Sequence, residues 1–96
     1  MATVMIMHWP EVSKAQYDQV RKDVHWEQDA PRGARLHVAW FAQDGCRVLD
    51  VWDSQQAFET FLRERLMPAV QRAKIQGEPK VSFSECHAIF APNPKL

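Results

Sequence analysis

The stretch "RLHVAWFAQDGCRVLDVWDSQQAFETFL" (residues 35–62) decides the fold. Two β-rich runs flank Asp44-Gly45, a dipeptide suited to a hairpin because Gly, and less readily Asp, adopts the positive φ that two-residue turns need. With those two residues as the turn, Phe41 faces Val48, Ala39 faces Asp50 and His37 faces Trp52. His37 and Asp50 then share a sheet face as diagonal neighbours, while Leu36, Val38, Trp40, Leu49 and Val51 line the other. A three-residue turn would slip the strands by one and split His37 from Asp50. After the second strand, Asp53 or Ser54 can cap a helix. Phe58, Phe61, Leu62, Arg65 and Leu66 then follow helical spacing, the Arg65 stem covering the edge of the stripe. Pro68 interrupts that helix and suits the first residue of a short turn through Ala73.

Upstream, "TVMIMHW" (3–9) is apolar and bounded by Pro10, as a first strand should be. "SKAQ" has the Ser-x-x-Gln spacing of a capping box, and Tyr17, Val20 and Val24 give the following helix an apolar face that fades by about Gln28. "DAPRGA" is a loop. Downstream, Gly77 and Pro79 end the helical region, "KVSFSECHAIF" (80–90) is the last strand, and "APNPKL" is a tail. The order strand, helix, strand, strand, helix, strand predicts a ferredoxin-like α+β domain over residues 1–91, with residues 92–96 as a tail. Its four-stranded antiparallel sheet carries both helices on one face.

A sheet covered on one side should alternate apolar and polar residues. "VMIM" and "LHVAWF" do not, so the uncovered face needs a partner, and a second copy of the chain is the economical one. Length agrees. A chain of 96 residues buries roughly 60–65% of its unfolded surface, so added interface is useful. Twelve basic residues balance twelve acidic ones, and no basic stripe points to nucleic acid. The two cysteines, Cys46 and Cys86, build neither a zinc site nor a disulfide framework and fit a reduced cytoplasmic setting. No apolar run is long enough for a membrane span.

The order of elements and the segment "RVLDVWDSQQAFETFLRERLMPAV" (47–70) together resemble the dimeric α+β barrel superfamily, the antibiotic-biosynthesis-monooxygenase-like group. The shared features are a strand ending in acid-x-Trp, a Ser/Asp cap, an early helix aromatic and a Pro-interrupted second half. The resemblance implies a homodimer with a pocket between sheet and helices. The activities it implies are cofactor-free oxygenation of polyketide-like phenols or proton transfer. Haem-degrading members carry an Asn late in the first strand, a Trp on the second helix and a His ligand beyond it. Here His8-Trp9, Phe61 and Gln71 stand in those places, so the iron ligand is missing and no cofactor is expected.

Two readings of the polar residues stay open. His37 and Asp50 can form a catalytic base and its orienting carboxylate, since a buried carboxylate fixes the imidazole tautomer and makes it a better base. They can equally satisfy each other within the fold, as buried polar groups must. Trp52, Tyr17, His8 and Phe61 are the candidate pocket residues, with a small aromatic molecule as the expected ligand. His8, His37 and His87 lack the spacing of a metal site, and none is expected. His25 reads as a cation at a helix C-terminus, and Cys86 as an inert thiol. The rival to an enzyme is a non-catalytic binding or assembly module built from the same residues.

Overall fold

The computed structural model describes residues 1–96. Strand β1 (Thr3–Trp9) leads to helix α1 (Lys14–Val24), strands β2 (Ala34–Ala42) and β3 (Gly45–Trp52), a second helical run and strand β4 (Lys80–Glu85). The sheet is antiparallel in the order β2-β3-β1-β4, the ferredoxin-like topology. The second helical run has three stretches: α2 (Gln55–Phe61), a π-helical turn (Leu62–Leu66) and α3 (Met67–Arg72). Pro68 explains the middle one. It has no N–H to donate and its ring crowds the preceding turn, so the helix widens just ahead of it and the Met67 N–H reaches back five residues to the Leu62 carbonyl. No helix is long and apolar enough to cross a membrane.

The two sheet faces part cleanly by strand period. Met5, Met7 and Trp9 of β1 and Cys46, Val48, Asp50 and Trp52 of β3 point under the helices and are buried. Phe58 and Phe61 of α2 and Val70 of α3 close over them. Val20 and Val24 of α1 pack on Ala69 of α3, joining the helices to each other. The opposite face carries Val4, Ile6, Val38, Trp40, Leu49 and Val51; Val51 is buried, Val4, Ile6 and Leu49 are half-buried, and Val38 and Trp40 remain 44% and 41% exposed.

Three boundaries differ from the sequence expectation. The hairpin turns on Gln43-Asp44 instead of Asp44-Gly45, so Ala42 pairs with Gly45, Ala39 with Val48 and His37 with Asp50. Gly45 does take the positive φ (111°) expected of it, but as the first residue of β3; a Cβ there would lie 2.5 Å from Pro10 Cα. The register is thus two residues off, and an even shift keeps every side chain on its face. Helix α1 stops at Val24 because His25 adopts φ 55°, a left-handed C-cap that turns the chain. Strand β4 ends at Glu85 because it pairs only with β1, whose ladder runs out at Thr3; the Cys86 N–H then bonds Ala2 O. A bulge at Arg35 also interrupts the β2–β3 ladder.

Candidate functional site

Asp50 is the one polar residue that the fold buries, with 5% of its surface exposed. His37 stands directly opposite it on β2, and Asp50 Oδ1 lies 2.7 Å from His37 Nδ1. The other oxygen, Oδ2, accepts from the Trp52 indole N–H at 3.0 Å. Alternation along β3 puts Asp50 and Trp52 on the same face, which brings the indole to the carboxylate. An indole N–H can only donate and an ionised carboxylate can only accept. The carboxylate therefore holds the proton of neutral His37 on Nδ1 and leaves Nε2 as an acceptor. Tyr17 Oη lies 2.7 Å from that nitrogen and donates to it. The result is a continuous chain, Tyr17–His37–Asp50–Trp52, and no buried side-chain polar atom in the protein lacks a partner.

Tyr17 reaches this position because α1 starts where it does. Ser13 accepts from the Gln16 N–H, and the Gln16 side chain accepts from the Ser13 N–H, which sets Tyr17 on the face against the sheet. The left-handed cap at His25 brings Trp26 back over the sheet. Its ring centroid is 4.4 Å from that of His37, tilted by 52°. Arg65, in the π-helical turn, donates to Val24 O and Asp29 O and so ties down the segment on either side of Trp26.

These side chains border a cavity of about 270 Å³ between sheet and helices. Met5, Met7 and Val48 form its floor, and Phe61, Leu66 and Val70 belong to its helical wall. Eighteen of the 22 lining residues are apolar, so a charge placed inside loses most of its hydration. Burial pushes the Tyr17 phenol up to about 12, against an opposing pull from Arg21, and pushes the Cys46 thiol up as well. Both stay protonated at neutral pH. At the rim, Arg35 on its bulge pairs with Asp53 (Nε–Oδ1 2.5 Å). A flat, largely apolar molecule suits this space, with the Tyr17–His37 end as its polar contact.

Of the residues expected from sequence, His37, Asp50, Trp52, Tyr17 and Phe61 all line the cavity. His8 does not. It projects from the opposite sheet face, where its Nε2 bonds Asp44 O at 2.8 Å beside the Arg47–Asp44 pair. His87 lies beyond the end of β4, so the three histidines do not converge, and no group of three or more His, Cys, Asp or Glu is placed to hold a metal ion. Trp52 is both core wall and site residue: 3% exposed, packed on Phe58 and Phe61, with its N–H on Asp50. Sequence reasoning missed Trp26, and with it the hydrogen bond from Tyr17 to His37. A left-handed His25 carries no glycine to announce it.

No protein-family model matches this chain, and no curated protein matches it by sequence. Solved structures do match. A protein of unknown function from Nitrosomonas europaea superposes with a TM-score of 0.65 at 14% identity, over 96% of this chain and 94% of that one. SnoaB, a cofactor-independent oxygenase from Streptomyces nogalater, gives 0.63 at 14% identity over 96% and 97%. The ActVA-Orf6 monooxygenase of Streptomyces coelicolor, solved with nanaomycin D, gives 0.55 at 20% identity over 96% and 92%. The chain therefore has the ferredoxin-like α+β fold that these proteins share.

Proposed function

We propose that two copies of this chain form an α+β barrel in which each subunit binds a small aromatic, polyketide-like molecule and acts on it by proton transfer or cofactor-free oxygenation. One observation carries the reading: a His37–Asp50 pair 2.7 Å apart at the edge of an apolar cavity. A neutral imidazole held in one tautomer by a carboxylate is a general base. In the oxygenation variant, the base converts a phenol or acidic C–H of the substrate to its anion. That anion then supplies electrons to dioxygen in a site that keeps water out. His37 is the base and Asp50 its orienting group; Trp52, Tyr17 and Phe61 frame the ligand. Shared fold with a cofactor-independent oxygenase supports this choice of chemistry. The uncovered apolar face with Trp40 and Val38 supports the second copy, and free Cys46 and Cys86 suit the reduced cytosol.

The same outer face favours a second reading, a binding or assembly module without turnover, in which the pocket only stores or presents a ligand. His37→Ala separates the two. Oxygen uptake with a hydroxylated anthrone as probe is expected to fall at least a hundredfold in this variant, while native mass spectrometry still finds a dimer. No uptake above buffer by the unaltered protein would support the second reading. Loss of the dimer in His37→Ala, with no turnover to lose, would do the same.

A further inference from the structure

Both nitrogens of the His37 imidazole are engaged, while 29% of its side chain stays exposed. Nδ1 is bonded to Asp50, Nε2 accepts from Tyr17, and the Trp26 ring leans over one side. Tyr17 and His37 both line the cavity, but a ligand that seeks the basic nitrogen finds it already bonded to the Tyr17 hydroxyl. We infer that Tyr17, not His37, is the group that touches the ligand, and that it passes protons between the ligand and His37. This rests on the proton-transfer reading above and names the contact atom within it.

The relay balances without any further reactant. A ligand O–H gives its proton to Tyr17 Oη as Tyr17 gives its own to His37 Nε2. What results is a ligand anion, a neutral phenol and an imidazolium facing the Asp50 carboxylate. Tyr17 never becomes a free anion. That agrees with its burial, which makes tyrosinate costly and keeps the phenol protonated up to about pH 12. After transfer the re-formed phenol O–H points at the new ligand anion, where a donor stabilises charge in an apolar site. Other charged or titratable groups that act on Tyr17 are Arg21, Glu27, Cys46 and Asp50; only Arg21 favours negative charge there. A tyrosine so placed serves as a conduit and not as a reservoir.

The probe is 2-naphthol, whose anion absorbs at longer wavelength than its neutral form, titrated while bound to the full-length protein. An apolar cavity alone raises a phenol's ionisation midpoint by desolvation. With the relay, the bound probe should ionise at least one pH unit below free naphthol. Tyr17→Phe and His37→Gln should both still bind it, since the cavity is kept, and both should ionise it above free naphthol. His37→Gln can still hydrogen-bond its neighbours but cannot take up a proton, so it distinguishes basicity from support. If Tyr17→Phe keeps the lowered midpoint and His37→Gln alone loses it, His37 meets the ligand directly and the relay is overturned, while the proton-transfer reading survives. If the unaltered protein raises the midpoint or leaves the probe unbound, that underlying reading fails and the relay fails with it.

Discussion

The two faces of one sheet do opposite things with the same strands. Along β2, His37, Ala39 and Phe41 turn inward toward the helices, while Val38 and Trp40 turn outward and stay exposed. Inside, polar groups are few and every one is partnered, in a chain from Tyr17 to Trp52. Outside, apolar groups are many, from buried Val51 to exposed Val38 and Trp40. Strand geometry lets the two sets interleave residue by residue, so a change of one position moves from the pocket to the surface where a second copy would dock. The proposed ligand contacts on the inner face and the proposed pairing on the outer one can therefore be altered separately.

Asp50→Ala should break the inner face most severely. It leaves two donors, from His37 and the buried Trp52, without their acceptor, at ~1–3 kcal/mol each. Urea unfolding should show a loss of about 3 kcal/mol, a large share of the stability of a domain this small. Gly45→Ala tests the hinge between strands that both faces share. The clash with Pro10 and the positive φ should cost more than about 1 kcal/mol, read as a lower melting temperature. Trp40→Glu is the outward counterpart. If two copies pair through this face, native mass spectrometry should find the variant monomeric, while the fold of each chain, by circular dichroism, changes little. If Trp40→Glu stays dimeric, the outer face is not the interface and the comparison fails there.

The smallest effect, and the sharpest measure of the inner face, is the titration of Tyr17, the chain's only tyrosine. Absorbance at about 295 nm, where tyrosinate absorbs, then reports this residue alone, and its midpoint should lie near 12 and not at the ordinary ~10. Because the folded value is the higher one, the folded state holds its proton where the unfolded chain has lost it. Stability from this group is complete below about pH 10 and is lost as the pH rises toward 12. Solvent reaching the partly exposed ring makes that loss modest. A midpoint near 10 would mean that the phenol is not shielded by the cavity.

What the sequence made legible follows from period and what it hid follows from packing. The order of elements, a helix cap at Asp53 or Ser54 and the shared face of His37 and Asp50 could all be read from spacing. The hairpin was placed two residues off, yet the pair survived because strand facing depends only on whether a slip is odd or even. His8 went to the wrong side because "VMIM" is apolar at both parities, and only helix packing decides that Met5, Met7 and Trp9 point inward. Tyr17 was legible as part of an apolar helix stripe, but its bond to His37 depends on how α1 lies across the sheet. Trp26 was hidden by a non-glycine residue in a left-handed conformation.

The bulge at Arg35 has a consequence for solubility. Strand β2 is an edge of the sheet, and an unbroken edge is a template on which further strands can add without limit. Here the regular row of backbone donors and acceptors is interrupted between Ala34 and Leu36, next to the Arg35–Asp53 ion pair. A strand arriving at that border meets a broken ladder and fixed charge. Growth into open fibres is discouraged from this side.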